Sequence, residues 1–99
     1  MARFDVYRNP EGSGYLLDVQ ADLLSDLNTR VVVPLIPAEL APPPATRLNP
    51  VFSLEATRVV MVTQFLSAVP LAMLVTPVAS LADRDAEILA ALDMVLTGF

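Results

Sequence analysis

YLLDVQADLL, residues 15–24, decides the fold together with RVVVPLI, residues 30–36. Leucine and valine dominate both runs, and valine favours strands. We predict a strand over each run, the second ended by Pro34 and Pro37, because proline cannot donate to a β-ladder. Asp18 lies inside the first apolar run. We expect its carboxylate to be buried and hydrogen-bonded to a nearby arginine.

The regions on either side of these runs also predict strands. RFDVY (residues 3–7) alternates polar and apolar residues, which is typical of a strand with one buried face. With residues 15–24 it should form a hairpin across the loop NPEGSG. PAELAPPPATRLNP (residues 37–50) holds five prolines and predicts a surface loop. VFSLEATRVVMVT (residues 51–63) predicts a second hairpin that turns near Glu55 and Ala56, and LSAVPLAM a further strand.

One helix is predicted at the carboxyl end. Ser80 and Asp83 have the spacing of a capping box, so we expect the helix to begin at Ser80. An apolar stripe at helical spacing follows. Its members are Leu81, Ile88, Leu92, Val95 and Phe99. Because the strands all precede this helix, the sequence predicts a mainly β single domain over residues 1–99, a small antiparallel barrel or sheet with one C-terminal helix.

Composition excludes several kinds of chemistry. The 99 residues include no cysteine and no histidine, so thiolate catalysis, a histidine triad and the commonest metal ligands are absent. A two-carboxylate site could only come from residues such as Asp18, Asp22, Asp26, Glu39 or Glu55, and most acidic side chains are solvated. We expect no catalytic residue, no metal and no cofactor.

Charge and hydropathy favour a protein partner. The net charge is −5, and the six arginines are scattered, whereas duplex binding normally needs a basic stripe. An apolar fraction of 55% is high for a small domain and predicts an oligomer interface. Residues 59–82 carry no charge, but Gln64, Pro70 and Pro77 interrupt them, so we expect buried strands rather than a membrane span. With no apolar signal region at its start, the chain is expected in the cytoplasm.

These motifs, in this order, resemble the CcdB family over essentially the whole chain. The matching segments are F-x-VY near the start, LLDVQADLL, RVVVPL, NPVFSLE, AVP and a closing helix that ends in GF. The resemblance implies an SH3-like barrel, a homodimer, and the toxin of a toxin–antitoxin pair that poisons DNA gyrase through its A subunit. It implies no enzymatic activity. A CcdA-like antitoxin would neutralise the toxin, and DNA would be bound only through their complex.

The resemblance also assigns residues. Gyrase contacts would be Leu23, Leu24, Asp93, Thr97, Gly98 and Phe99, with Thr97 in place of the family's usual tryptophan and Asp93 where asparagine is common. Antitoxin contacts would include Arg8, Asn9, Leu40 and Pro43, and the dimer interface Ile88, Leu92, Val95 and Leu96. Two alternatives stay open: a diverged member that binds antitoxin without poisoning gyrase, and a MazF-type ribonuclease toxin.

Overall fold

The computed structural model describes residues 2–99, which fold into seven strands and one α-helix. The elements are β1 (Asp5–Arg8), β2 (Tyr15–Asp18), β3 (Thr29–Pro37), β4 (Val51–Leu54), β5 (Thr57–Met61), β6 (Ser67–Pro70), β7 (Ala79–Ser80) and α1 (Asp85–Thr97). All pairings are antiparallel, in the order β4-β5-β3-β2-β1-β7, and β6 pairs with β3. The strongly bent, barrel-like sheet and single C-terminal helix confirm the predicted fold class.

β3 continues through Pro34 because it changes partner there. Its first half, Thr29 to Val32, pairs with β6, and Leu35 to Pro37 pair with β5. Pro34 lies between the two ladders, where its missing N–H costs nothing, and its carbonyl oxygen accepts a hydrogen bond from Val62 N–H at 3.0 Å. The prediction that Pro34 ends the strand is therefore wrong. The β4–β5 hairpin does turn at Glu55 and Ala56, both at positive φ.

Two predicted boundaries move by several residues. β2 ends at Asp18, and Asp22–Leu24 form a 3-10 turn rather than the end of a strand. The helix begins at Asp85, not Ser80, because Ser80 belongs to β7 and a 3-10 turn over Ala82–Arg84 intervenes. Ser80 Oγ accepts a hydrogen bond from Ala82 N–H, so no capping box with Asp83 forms. Asp85 and Glu87 still place negative charge in the first helical turn.

The main core lies between the sheet and α1. Alternate residues of the central strands point to it, for example Val6, Leu17 and Val33, and α1 contributes Ile88, Ala91 and Leu92. The intervening residues face the other side of the sheet. There Tyr7, Leu16 and Val32 pack under Leu74 from the segment after β6.

The uncharged run at residues 59–82 is divided among short strands and turns in this arrangement. Within residues 2–99, no helix is long and apolar enough to cross a membrane.

Candidate partner-binding surfaces

Large apolar side chains are exposed in the turn that follows β2. Leu23 is 92% exposed, and Leu24 and Leu27 are each about half exposed. We call residues 21–27 the leucine turn. A leucine that is almost fully solvated contributes nothing to the core, and a cluster of three is typical of a partner surface. The structure therefore places the predicted gyrase contacts Leu23 and Leu24 on the surface.

Hydrogen bonds from the surrounding chain hold the leucine turn in place. Asp22 Oδ1 accepts a bond from Arg3 N–H at 2.8 Å. Gln20 Nε2 donates to the Leu24 carbonyl oxygen at 3.0 Å, and Gln20 Oε1 accepts from Val31 N–H at 3.0 Å. The exposed leucines thus project from a turn that is bonded to both β3 and the N-terminal segment. Gln20 was not selected from the sequence, since an isolated glutamine carries no recognisable signal.

A buried ion pair lies beneath the leucine turn. Arg30 Nε donates to Asp18 Oδ2 at 3.0 Å, and Asp18 Oδ1 accepts from Gln20 N–H at 3.1 Å. Both charged side chains are fully buried. Burial raises the pKa of Asp18, and the Arg30 hydrogen bond opposes this rise. The expected buried Asp18–arginine contact is confirmed. Because its guanidinium is sealed inside the fold, Arg30 cannot meet a phosphate on the surface.

The end of α1 presents a second exposed apolar residue. Gly98 has φ 83°, a left-handed conformation, and its N–H donates to the Met94 carbonyl oxygen at 3.0 Å. This geometry ends the helix and turns Phe99 away from it, leaving Phe99 79% exposed. Thr97 is exposed, and its hydroxyl donates to the Asp93 carbonyl oxygen at 2.7 Å. We call Thr97, Gly98 and Phe99 the helix tip.

The helix tip and the leucine turn lie on separate elements. α1 packs on the sheet through Ile88, Ala91 and Leu92, and it also neighbours the turns Thr63–Phe65 and Ala82–Arg84. Each group stands on the surface through its own local geometry.

Two of the predicted dimer residues are corrected by the structure. Ile88 is fully buried and Leu92 is nearly so, both within the core of their own chain. Their side chains cannot contact a second copy while α1 stays packed on its sheet. Within the predicted stripe, Ile88 and Leu92 belong to the inward face of α1. Of the four residues, Leu96 is exposed and Val95 is half-buried.

The predicted antitoxin contacts gather around the end of β3. The Arg8 guanidinium lies 2.9 Å from Glu55 at the β4–β5 turn, and both side chains are exposed. In the same loop as Asn9, Gly14 has φ 89°, and a Cβ there would collide with the Leu35 carbonyl oxygen. Loop 9–14 therefore lies directly against the strand that leads into the proline-rich segment.

The proline-rich segment begins where β3 ends. Leu40 N–H donates to the Pro37 carbonyl oxygen at 2.9 Å, and both Leu40 and Pro43 are exposed. We call loop 9–14, the turn at Glu55 and Ala56, and residues 38–45 the loop edge.

An open cleft of about 340 Å³ adjoins the loop edge. It is lined by Tyr7, Arg8, Pro10, Met73, Val75, Thr76 and Val78. Val75 is largely exposed within it. The part of the chain that the structure describes contains no cluster of three acidic side chains arranged to hold a metal ion.

The chain matches a known protein family and is similar in fold to solved structures. The model of the CcdB protein family matches residues 3–98. An endoribonuclease in complex with its cognate antitoxin, from a mycobacterial species, superposes with a TM-score of 0.76 over 97% of this chain and 94% of that chain. Its sequence identity is 17%, so this likeness shows a shared fold alone. No curated protein sequence matches the chain.

Proposed function

Because the chain belongs to the CcdB family, we propose that it is the toxin of a toxin–antitoxin pair and that it binds the A subunit of DNA gyrase, trapping the cleaved DNA complex. The proposed contacts are Leu23 and Leu24 of the leucine turn, Asp93, and the helix tip. The toxin acts by binding and has no catalytic residues of its own.

The exposure of Phe99 is the observation that carries this proposal. A phenylalanine belonging to the apolar stripe of an ordinary helix would be packed in the core. Here Gly98, in its left-handed conformation, directs the Phe99 side chain towards solvent. Contact with a partner would bury this apolar side chain and so stabilise the complex. Leu23, which is almost fully exposed in the leucine turn, supports a second contact.

The loop edge is the proposed antitoxin surface. A short disordered antitoxin segment can lie across exposed loops and order as it binds. Arg8 supplies a cation there, and Leu40 and Pro43 supply apolar contacts. This surface uses different residues from the helix tip, so neutralisation would not depend on a direct contact with Phe99.

We further propose a homodimer that involves the outward side of α1. Leu96 and Val95 stay in this interface, whereas Ile88 and Leu92 support it from within the core. The exposed area of Leu96, added to the high apolar content of the chain, favours a two-fold contact. Sedimentation at micromolar concentration tests the dimer, and a monomer there would contradict it.

The decisive experiment is a gyrase cleavage assay with purified protein. Supercoiled DNA, gyrase and ATP are incubated with the toxin, and linear DNA is measured after detergent and protease treatment. Accumulation of linear DNA with wild-type protein, and its loss with Phe99→Ala, supports the proposal. If wild-type protein produces no linear DNA above the level seen without it, gyrase poisoning is rejected.

Thr97 favours one alternative, a diverged member that keeps its antitoxin but no longer poisons gyrase. Threonine offers far less apolar area than tryptophan, and its hydroxyl is already bonded to the helix. Antitoxin binding without gyrase trapping would establish this alternative. Cleavage of RNA by the same preparation without added metal would instead indicate a ribonuclease toxin.

A further inference from the structure

One buried side chain, Gln20, connects the exposed leucine turn to the sheet. It is 6% exposed, and its carboxamide makes two hydrogen bonds of 3.0 Å, one to the Leu24 carbonyl oxygen and one from Val31 N–H. Its own backbone N–H donates to Asp18, which is paired with Arg30. The buried ion pair, Gln20 and the leucine turn thus form one continuous chain of polar contacts.

The two hydrogen bonds of the Gln20 carboxamide fix the side chain in a single orientation. A backbone N–H can only donate and a backbone carbonyl can only accept, so the amide oxygen must face Val31 and the amide nitrogen must face Leu24. Both bonds are partly buried, so their loss leaves the Leu24 carbonyl oxygen or the Val31 N–H with reduced access to water as a replacement partner. Leu24 is therefore tied to β3 through Gln20.

The remaining bonds of the leucine turn are mostly internal to it. Leu24 N–H donates to Ala21, and Ser25 N–H donates to Asp22. Such bonds preserve the shape of the turn but do not fix its position on the sheet. Apart from Gln20, the bond from Arg3 N–H to Asp22 is an anchor, and it is exposed to water.

From this geometry we infer that Gln20 is a positioning residue: it holds Leu23 and Leu24 in the orientation in which a protein target meets them. This inference rests on the proposed function, since the target is taken to be the gyrase A subunit. Gln20 itself lies beneath the surface and does not touch the target. It acts by reducing the conformational freedom that binding would otherwise remove.

Two substitutions of Gln20 separate the bond to the turn from the bond to the sheet. Gln20→Glu keeps an oxygen for Val31 N–H, but its carboxylate cannot donate to the Leu24 carbonyl. Gln20→Met loses both bonds without introducing a charge, which guards against a folding defect caused by a buried carboxylate. A cooperative thermal transition verifies that each variant folds.

Asn49 provides a matched control. It is 7% exposed, its Nδ2 donates to the Met61 carbonyl oxygen at 3.0 Å and to Gln64 Oε1 at 2.9 Å, and its Oδ1 accepts from Ala45 N–H at 3.0 Å. Asn49→Asp therefore makes the same chemical change in an equally buried amide that bridges two backbone segments. Its bonds do not involve the leucine turn.

The readouts are amide hydrogen exchange in residues 21–27 and affinity for purified gyrase A subunit. We expect exchange of Leu24, Ser25 and Leu27 to accelerate about tenfold in both Gln20 variants, relative to Asn49→Asp at equal global stability, because both variants lose the bond to the Leu24 carbonyl oxygen. Gyrase affinity should fall by about the same factor in the Gln20 variants alone.

Unchanged exchange in the leucine turn of both Gln20 variants would overturn the inference. So would equal acceleration in Asn49→Asp, because the effect would then reflect general destabilisation. If wild-type protein fails to bind gyrase A, the proposed target is wrong. Selective acceleration in the Gln20 variants would still support Gln20 as the residue that orders this surface.

Discussion

Arg30 Nε lies 3.0 Å from Asp18 Oδ2, and both side chains are completely excluded from solvent. Arg30 Nη2 also lies 2.7 Å from the same oxygen as an ion-pair contact and makes no hydrogen bond within residues 2–99. Nη1 has no hydrogen-bond partner within residues 2–99. The pair is thus tightly coupled and incompletely satisfied. Removing one member leaves the other charge buried without compensation.

Asp18→Asn should lower the free energy of unfolding by about 3–5 kcal/mol, the usual cost of breaking a buried pair. The double variant Asp18→Leu with Arg30→Met removes both charges and should recover most of that loss. Urea denaturation of the three proteins measures both effects. If Asp18→Asn unfolds at the wild-type urea midpoint, the pair does not stabilise the fold.

The buried Tyr7 hydroxyl should make the stability of the fold sensitive to alkaline pH. It is 1% exposed, and its hydroxyl has no hydrogen-bond partner among the described residues. Burial raises the pKa of Tyr7 above its ordinary value of 10.0, and the nearby Asp5 and Asp18 raise it further. Above pH 10 the unfolded chain loses this proton while the folded protein keeps it. The free energy of unfolding should therefore fall as pH rises past 10.

Tyr7→Phe should reduce this alkaline loss of stability. At pH 7 the variant should be as stable as wild type or about 1 kcal/mol more stable, because the unpartnered hydroxyl is gone. Urea melts between pH 7 and 11 provide the measurement. Tyr15→Phe, the same change on the opposite face of the sheet, is the control. Identical pH profiles for wild type and Tyr7→Phe would contradict the prediction.

Leu23 and Leu17 should respond to mutation in opposite ways. Leu23 is nearly fully exposed, so Leu23→Asp should change the free energy of unfolding by less than about 0.5 kcal/mol. It should nevertheless abolish growth inhibition, because a carboxylate would be buried against an apolar target. Leu17→Ala, in the core, should cost about 2–5 kcal/mol. If Leu23→Asp is fully toxic, the leucine turn is not part of the surface that contacts the target.

The sequence predicted this fold well where a local signal was sufficient. Prolines and glycines predicted the loops, the alternating pattern of residues 3–7 predicted the first strand, and the spacing of apolar residues predicted the helix. Ile88 and Leu92 show the limit of such reasoning. Helical spacing identifies an apolar face, but it cannot tell whether that face meets the chain's own sheet or a second copy. Only the packing of α1 decides this.

The continuation of β3 through Pro34 and the role of Gln20 could not be read from local pattern. Pro34 is tolerated because β3 changes partners there, which is a property of the tertiary pairing. Gln20 acquires its role from Val31 and Leu24, which the fold brings to either end of its amide. In both cases a non-local contact overrides what the residue type suggests.

The proline-rich segment predicts a loss of antitoxin affinity when it is made flexible. Replacing Pro42, Pro43 and Pro44 by Gly-Ser-Gly keeps the chain length but adds conformational freedom that binding must remove. At about 0.4–1 kcal/mol per residue, affinity should fall by roughly tenfold or more. Titration calorimetry with the antitoxin peptide measures this fall. Gyrase trapping by the same variant should be retained. An unchanged antitoxin affinity would show that this segment is not part of the antitoxin-binding surface.

The helix tip gives the sharpest prediction. Phe99 is held in solvent by Gly98, and Thr97 contributes little apolar area. Deleting residues 97–99 should leave the melting temperature and antitoxin binding nearly unchanged, since these residues lie beyond the packed turns of α1, but growth inhibition should vanish. Thr97→Trp should strengthen gyrase trapping by about 2 kcal/mol, or roughly thirtyfold, as an aromatic anchor would.

Thr97→Val is the control for the tryptophan variant, because it removes the hydroxyl bond to Asp93 without adding an aromatic ring. Its trapping activity should stay within a fewfold of wild type. The linear DNA formed at increasing toxin concentration ranks the three proteins. If the truncated protein remains fully toxic, or if wild-type protein kills cells whose gyrase is resistant, the helix tip does not act on gyrase. The toxicity would then have to come from another target.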